Sequence, residues 1–362
     1  MEEFIPTFTD ITKWNQKIYS GTGGTRAKNI YVNPLNEKEY FFKGSKELDD
    51  GTFKYPSEFW SEIISSKIGS WLKFELLDYN IAFDKNDEQQ IGCLSKSMVE
   101  HTENKLSEGV EFLRGFDPTY LPEKDEYRYT FNFIRETLND FGLNEFEPRI
   151  IEMLMFDAII GNSDRHQENW GFITKFKETI EEFNTNIKSS TNILKKWGIM
   201  LKRYFAKAAR DLVHKENPKQ KINKSLLRTQ STLIKNSFSP IYDSGCCLGR
   251  ELEKDRILKM LKDPKMMESY VLRGRAEIRW HEGKKKPKHF HLMMELKKEF
   301  PSLFEEILKR IEENFSEEKL EYLIENIDSN IPEGLEHFKL SDYRKNLISK
   351  LIPLRLDKLR AL

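Results

Sequence analysis

Two regions of the chain have different hydrophobic patterns, and their order is the feature that most constrains the fold. Residues 1–100 contain short apolar runs typical of strands, with one segment of helical spacing among them. Residues 101–362 contain mainly segments with apolar residues three and four apart, which is typical of amphipathic helices. Strands followed by helices, without regular alternation, indicate an α+β protein. We predict a β-rich lobe of residues 1–100 with one main helix, and a mainly helical lobe of residues 101–362.

The first lobe is predicted to contain a hairpin, a helix and two further strands. The apolar runs at 28–33 and 39–44 flank the turn-forming pentapeptide PLNEK. The segment 57–72 has apolar residues at helical spacing after a proline and a serine, which are good start signals. Strands are expected within 74–83 and 90–99. Residues 98–103 would then form the boundary between the lobes.

The second lobe is predicted to consist of a series of amphipathic helices. Pro353 follows the last of them and should stop or kink it, because proline lacks the N–H that a helix interior requires. The predicted helices cover residues 128–141, 148–160, 251–262, 290–300, 303–315, 317–327 and 341–352.

Composition excludes some classes of protein. Lys+Arg and Asp+Glu are both 59, so the molecule as a whole does not have the charge of a nucleic-acid-binding protein. The first ten residues lack the basic start and apolar run of a signal peptide, and no apolar stretch approaches the roughly 20 residues needed to span a bilayer. Three cysteines do not suggest a disulfide framework. We therefore expect a cytoplasmic protein without a membrane partner.

The string GNSDRHQENWGFI at 161–173 is the most informative motif. It places Asp164 and Asn169 five residues apart. Phosphoryl transfer needs a carboxylate to receive the proton of the attacking hydroxyl and a nearby amide oxygen to hold Mg²⁺, and protein kinases use this spacing. The pattern predicts Asp164 as the base and Asn169 as a metal ligand. The alternative is a polar loop that caps a helix, but the full string favours a catalytic loop.

Together with PIYDSGCCLG at 240–249, this motif resembles the paired signature of HipA-like serine/threonine kinases, including stand-alone members without the small N-terminal subdomain. The resemblance implies a bilobal protein-kinase-like fold that uses ATP and Mg²⁺. It also implies that Asp243 is the principal Mg²⁺ ligand, where protein kinases have the Asp of DFG. Carboxylate oxygens suit Mg²⁺. The alternative for Asp243 is an ordinary turn acid.

The resemblance extends to the residues that would hold the ATP phosphates. Lys43, at the end of the run YFFK, resembles the phosphate-pairing lysine of kinases, although a solvated lysine is the alternative. Its glutamate partner would be Glu58 or Glu62, and the family's habit favours Glu58. A glycine-rich segment one hairpin earlier corresponds to the family's phosphate loop, without its usual Gln, and judged alone would be a flexible turn. Its residues are Gly23, Gly24, Thr25, Arg26, Ala27 and Lys28.

Three further residues are predicted to lie near the nucleotide. Adenine should meet the backbone of the hinge between the lobes, within 90–101, and Met98 lies in the favoured register of 97–99. Tyr242 precedes the metal-binding aspartate, and His166 is expected on the nucleotide side of the catalytic loop. A string DRHxxN also occurs in phosphatidylinositol-type kinases, so it does not by itself separate protein from lipid substrates.

A basic segment separates the two motifs, which the family normally joins by a short hairpin. Between 175 and 235 the chain has 15 Lys+Arg and 5 Asp+Glu, a net charge of +10. Ile193–Val213 has apolar residues at helical spacing with Lys and Arg between them. One interpretation is a helical insertion packed on the second lobe. The other is a docking arm for an acidic partner or RNA.

The resemblance implies an ATP-dependent serine/threonine protein kinase with an unidentified protein substrate. Relatives include toxins of toxin–antitoxin systems, so an antitoxin partner is left open, and relatives autophosphorylate the phosphate loop, where Ser20, Thr22 and Thr25 are the hydroxyls. A direct nucleic-acid partner is not expected, although the basic insertion leaves it open. The alternatives are a lipid or small-molecule kinase and a non-catalytic nucleotide-binding co-repressor.

Overall fold

The computed structural model describes residues 1–17, 29–45, 55–87, 89–100, 103–213 and 223–362. Within them the strands lie mostly in the first hundred residues and the helices mostly afterwards, so the predicted α+β organisation is confirmed. The strands are β1 (Phe8–Asp10), β2 (Asn15–Lys17), β3 (Asn29–Val32), β4 (Glu39–Lys43), β5 (Asn80–Phe83), β6 (Ile91–Lys96), β7 (Asn104–Glu108), β8 (Gly171–Lys175) and β9 (Asn236–Phe238).

A six-stranded sheet forms the first lobe, in the order β1-β5-β6-β4-β3-β2. β3 and β4 pair in antiparallel fashion, so the predicted hairpin is confirmed. β4 also pairs with β6, and Lys43 lies opposite Cys93 near the middle of the sheet. β1 pairs with β5 in parallel, a contact that no sequence signal indicated. The sheet therefore fixes Lys43 at the end of a strand that is bonded on both sides.

The helices were found largely where the spacing of apolar residues placed them. The α helices are α1 (Glu58–Trp71), α2 (Gly109–Phe116), α3 (Phe131–Asp140), α4 (Glu147–Ile160), α5 (Phe176–Ser189), α6 (Ile193–Val213), α7 (Lys224–Leu233), α8 (Lys254–Lys262), α9 (Pro264–Arg273), α10 (His289–Glu299), α11 (Pro301–Asn314), α12 (Glu317–Asn326) and α13 (Asp342–Arg360).

Pro353 was predicted to stop or kink the last helix, and the stop is wrong, since α13 continues to Arg360. Ile352 and Leu356 on either side of the proline are buried in the main core. Burial of these apolar side chains, each contributing about 1.5–3 kcal/mol, can offset the roughly 3 kcal/mol that a proline costs in a helix interior.

α1 lies between the two lobes and is buried almost all round. Every residue from Glu58 to Trp71 except Ser70 is buried, including its two glutamates. Trp71 stacks on Phe315 of the second lobe with ring centroids 5.7 Å apart. At Gly69 an added Cβ would lie 2.3 Å from Leu76 Cδ1. Because a buried charge is costly unless it is paired, the two buried glutamates of α1 each require a cation as partner.

A small sheet brings the two sequence motifs together. β8, which begins at Gly171 near the end of the catalytic-loop string, pairs with β7 on one side and β9 on the other. β9 ends shortly before Asp243. Because the start of β8 pairs with the end of β9, the two motifs come together although Asp164 and Asp243 are 79 positions apart.

The segment between β8 and β9 forms three helices with a small core of their own. α5, α6 and α7 enclose buried residues such as Ile180, Ala206 and Leu226, separate from the main core. Leu227 on α7 instead joins the main core. The inserted helices thus contact the core of the second lobe through Leu227 of α7.

None of the helices in the described residues is both long and apolar enough to cross a bilayer.

Candidate active site

The catalytic-loop string begins where α4 ends. Gly161 adopts a left-handed conformation (φ 71°) as the cap of this helix, which residues with a Cβ rarely adopt. A Cβ at this position would also lie 2.5 Å from Nη2 of the buried Arg355. The Arg355 guanidinium donates to the carbonyl of Ala158 (3.0 Å), one of the last carbonyls of the helix. The end of α4 is therefore fixed from both sides, which determines where the loop starts.

Arg165 is the residue that joins the two motifs. Its buried guanidinium forms two bonds with Asp157, from Nε to Oδ2 (3.0 Å) and from Nη2 to Oδ1 (2.8 Å). Nη1 donates to the backbone carbonyls of Asn169 (2.9 Å) and Tyr242 (2.5 Å). Nη2 also reaches the Ser244 hydroxyl (3.0 Å). One side chain therefore holds the backbone at Asn169 and contacts both neighbours of Asp243, Tyr242 through its carbonyl and Ser244 through its hydroxyl.

The charge of Arg165 is maintained despite its burial. Burial by itself would lower the pKa of this guanidinium, but the carboxylate of Asp157 more than compensates, and the pKa is raised. Arg165 had no predicted role. The sequence signal for its role was its position between Asp164 and His166. An arginine within a predicted catalytic loop must either pair with an acid or face solvent.

Asp164 and Asn169 are held together by a hydrogen bond within the loop. The Asn169 amide nitrogen donates to the Asp164 backbone carbonyl (2.8 Å), and Asn169 is buried. Its amide oxygen is then the atom left to act as an acceptor or metal ligand. The Asp164 carboxylate is half-buried, and its Oδ2 accepts from the thiol of Cys246 (3.1 Å). The thiol thus fixes one oxygen of the predicted base.

Lys43 pairs with Glu62, so the prediction that favoured Glu58 is wrong. Lys43 Nζ lies 2.5 Å from Glu62 Oε1 and also contacts the carboxylate of Asp243. Glu58 is the first residue of α1 and instead pairs with Arg250 at 2.9 Å. Glu62, one turn further along the same face, is the glutamate that comes opposite the end of β4. The helix spacing identified the correct pair of candidates but not the register.

The Lys43 ammonium group remains charged in this setting. Burial would lower its pKa, but the carboxylates of Asp243 and Glu62 outweigh that effect and raise the pKa well above its ordinary value. Because a buried cation needs acids to compensate its charge, and Lys43 contacts one acid on α1 and one in the second motif, these contacts tie α1 to that motif.

Asp243 occupies a strained position that points to a specific role. Its φ of 55° lies in the left-handed region, where residues other than glycine cost free energy. The following residue, Ser244, donates its N–H to Glu62 Oε2 (2.7 Å), which holds the turn in place. The Asp243 side chain is 27% exposed, whereas that of Glu62 is fully buried. Of the two acids that contact Lys43, Asp243 is therefore the one accessible from the cleft.

Oxygen atoms suited to Mg²⁺ come from both motifs. The carboxylate of Asp243 and the amide oxygen of Asn169 are hard ligands, and an Mg²⁺ site typically uses one or two such protein groups with phosphate oxygens and water. The described residues contain no cluster of three His, Cys, Asp or Glu that could hold a metal alone. This donor set fits a cation shared with a bound phosphate, rather than a closed structural metal site.

A cavity of about 460 Å³ lies where the hinge meets the small sheet. Met98 lines it from the hinge side, and Ile173, Phe238 and Pro240 line it from the second lobe. The cavity is a few residues from Asp243 along the chain. The other eight lining residues are charged or polar, so only the part formed by these four apolar residues could contact a planar base such as adenine.

The remaining predicted residues are placed as follows. His166 is half-buried, and its Nδ1 accepts from the N–H of Glu168 (3.4 Å), a contact within the loop. Tyr242 is buried, and its hydroxyl donates to the carbonyl of Glu168 (2.8 Å), so this side chain braces the catalytic loop. The predicted phosphate loop, from Gly23 to Lys28, lies outside the described residues.

The roles of Glu62 and Glu58 can be separated by matched substitutions. We expect Glu62→Gln to lower kcat/KM for ATP about a hundredfold, because misplacing Lys43 misaligns the phosphates. Glu58→Gln, equally buried and on the same face, should change kcat/KM less than about fivefold, since Lys43 keeps its partner. Nucleotide affinity and ³²P transfer measured for both variants test this. Equal losses in the two variants would contradict the assignment.

Comparisons with known proteins bear on the fold. No family model matches the sequence, and no curated protein matches it. The structure is similar to the crystal structure of a Helicobacter pylori proinflammatory kinase, CtkA, with a TM-score of 0.64, 16% identity and coverage of 98% of each chain. This chain has a bilobal, protein-kinase-like fold. The fold class predicted from the sequence is therefore confirmed over almost the whole length of the chain.

Proposed function

We propose that the protein is an ATP-dependent kinase of the HipA-like type that transfers the γ-phosphate to a serine or threonine of a protein. The observation that carries this proposal is the position of Arg165, which binds the backbone at Asn169 and beside Asp243. Two motifs that resemble the family's signature are thereby held at one end of the cleft, with Lys43 in contact with Asp243. Similarity to a kinase fold supports the proposal at the level of architecture.

Each residue of the site would have a separate role in phosphoryl transfer. Asp164 accepts the proton as the acceptor oxygen forms its bond to the γ-phosphorus and the bond to the β-phosphate oxygen breaks. Asn169 and Asp243 would hold Mg²⁺, which when bound neutralises charge on the phosphates. Lys43 pairs with phosphate oxygens, and Glu62 keeps its ammonium group in position. Met98 and its neighbours in the cavity would receive the adenine.

The Lys43–Asp243 contact is consistent with a resting state of this site. In a nucleotide complex, phosphate oxygens and a metal ion would compete for the same two groups, because each is an ionic partner of opposite sign. Glu62 is buried behind them and remains available to Lys43 in either state. Binding then needs only a local exchange of ionic partners.

Finer features of the function are carried by the family resemblance. We propose an unidentified protein substrate, a role as a toxin controlled by an antitoxin, and autophosphorylation at Ser20, Thr22 or Thr25. We place the enzyme in the cytoplasm, where ATP and Mg²⁺ are available. Because the Cys246 thiol donates a hydrogen bond to Oδ2 of Asp164, the other carboxylate oxygen would accept the proton of a serine or threonine hydroxyl.

Radiolabelled ATP distinguishes the proposal from its rivals. With Mg²⁺ and γ-³²P-ATP in cell extract, we expect label in protein as phosphoserine or phosphothreonine, and part of it within residues 18–28 by mass spectrometry. Asp164→Asn should lower incorporation at least about a hundredfold, since the base is lost while its shape is kept. Label in lipid or metabolite fractions would instead identify a lipid or small-molecule kinase. A biological effect that survives Asp164→Asn would indicate a non-catalytic co-repressor.

A further inference from the structure

Helix α6 carries its large apolar side chains on the side that faces away from the protein. Leu194 is 83% exposed, Tyr204 67% and Trp197 65%, values unusual for such side chains in a folded chain. The outward-facing set comprises Ile193, Leu194, Trp197, Met200, Leu201, Tyr204, Phe205 and Leu212. More than half of the large hydrophobic side chains exposed in the described residues lie on this one helix, so the feature is local.

The side of α6 that packs on the protein is made of smaller residues. Ala206, Ala209 and Val213 are buried against the neighbouring helices α5 and α7. At about 100° per residue, these lie roughly opposite the large apolar side chains, which occupy an arc of about 140°. The apolar periodicity found in the sequence therefore belongs to an outer face. The interpretation of a helical insertion packed on the second lobe fits Leu227 of α7, which joins the main core, whereas the large side chains of α6 are exposed.

Cations border the apolar arc on one side. On the helical wheel Lys196, Arg203 and Lys207 lie within about 60° of one edge, whereas Lys195 and Lys202 lie on the side opposite the arc. No acid occurs between Ile193 and Lys207. The first two-thirds of α6 thus combine an outward apolar face with one basic edge.

Asp211, near the end of the helix, lies on the outer side and pairs with Arg210 at 2.9 Å. Because an acid would be repelled by an anionic surface, the contact should be made by the residues before it. Leu201, Tyr204 and Phe205 are the last large apolar residues of that part.

This arrangement favours one occupant over others. Single-stranded nucleic acid would require cations among aromatic rings at the centre of the exposed face, where Trp197 is flanked by Leu194 and Leu201 instead. A second copy paired through α6 would bring together two helices that each have six cations and one acid, which repel. A flat anionic layer can meet the basic edge while accepting the apolar face beside it.

We propose that α6 lies on an anionic phospholipid bilayer, with the Ile193–Phe205 face in the interfacial region and the basic edge at the headgroups. Trp197 and Tyr204 suit this depth, since aromatic rings with a polar group are enriched at membrane interfaces. Lysine stems can reach from the edge to the phosphates. The expectation of no membrane partner rested on the lack of a spanning segment, which an interfacial helix does not need.

Vesicle binding by the full chain tests the proposal without any measurement of kinase activity. Wild type should float with phosphatidylcholine vesicles that contain about 30% phosphatidylglycerol, and at least about tenfold less with phosphatidylcholine alone. Tryptophan fluorescence should shift to the blue on binding, and Trp197→Phe should remove that shift. Equal binding to neutral and anionic vesicles, or no binding to either, would overturn the proposal.

Matched variants show whether the apolar face is responsible. Leu194→Gln, Leu201→Gln and Phe205→Gln combined should lower the partition coefficient about a hundredfold, because the buried apolar area is lost. The control combines Leu35→Gln, Leu258→Gln and Leu272→Gln, three exposed leucines elsewhere, and should bind as wild type. All six positions are exposed, and circular dichroism with a melting curve verifies folding. Equal binding by both triple variants would contradict the proposal.

The basic edge and the alternative occupants have their own measurements. Lys196→Gln, Arg203→Gln and Lys207→Gln combined should also lower the partition coefficient about a hundredfold on anionic vesicles and little on neutral ones. Sedimentation velocity without vesicles should show a monomer. A dimer that the apolar triple variant abolishes would assign the face to a second copy. Tighter binding of a labelled single-stranded RNA than of vesicles would assign it to nucleic acid, and either result overturns the proposal.

Discussion

Replacing Asp243 with asparagine is expected to lower phosphate transfer from ATP about a thousandfold while leaving the fold intact. The loss follows because the amide cannot supply the negative charge that a metal ion at the phosphates requires. The fold should persist because asparagine is among the residues that best tolerate the left-handed φ of 55° observed at this position. Lys43 would also keep its second partner, Glu62.

The measurement is ³²P incorporation at saturating ATP, with melting temperature as the check on folding. Asp255→Asn, an exposed acid on α8, is the control and should transfer phosphate at the wild-type rate. Activity of Asp243→Asn within about tenfold of wild type would contradict the role of Asp243 as the principal metal ligand.

The second large effect is expected at Arg165. Replacing it with methionine should lower the free energy of unfolding by about 3–5 kcal/mol, because the buried Asp157 carboxylate loses its charge partner. Lysine should not rescue the variant, since it cannot form the forked contacts with Asp157 and two backbone carbonyls. Phosphate transfer should fall as well, because Asn169 and the turn at Asp243 lose their common support.

A double variant separates the unpaired charge from the lost contacts. Combining Arg165→Met with Asp157→Asn should recover about 1–2 kcal/mol of the lost stability, measured by urea unfolding, without recovering activity. The amide nitrogen of Asn162 already donates to Asp157 Oδ1 (2.9 Å), and an asparagine at 157 can keep that bond. A loss below about 1 kcal/mol in the single variant would contradict the account of Arg165 as the residue that joins the motifs.

The sequence predicted the parts of the site that are local in the chain. The spacing of Asp164 and Asn169 within one loop, and the position of Lys43 at the end of a hairpin strand, depend on a few neighbouring residues. The hairpin and most helices followed from periodicity in the same way. These features needed no knowledge of how distant segments pack.

Contacts between distant segments could not be predicted. The choice between Glu58 and Glu62 depends on how α1 is rotated against β4, and both glutamates lie on one helical face. The role of Arg165 depends on Tyr242, 77 residues away. The direction of the apolar face of α6 depends on which side its small residues pack against. For α1 and α6 the periodicity of the apolar residues identified a helical face, but tertiary packing determines what that face contacts. For Arg165, tertiary packing alone determines the contacts.

The central claim is that Asn169 and Asp243 form one metal site at the phosphates of ATP. The most direct measurement is a crystal structure of the chain with Mg²⁺ and a non-hydrolysable ATP analogue. We predict adenine beside Met98, Lys43 on a phosphate, and Mg²⁺ within about 2.1 Å of Asp243 and the Asn169 amide oxygen. A nucleotide bound elsewhere, or a metal that neither residue contacts, would contradict the claim.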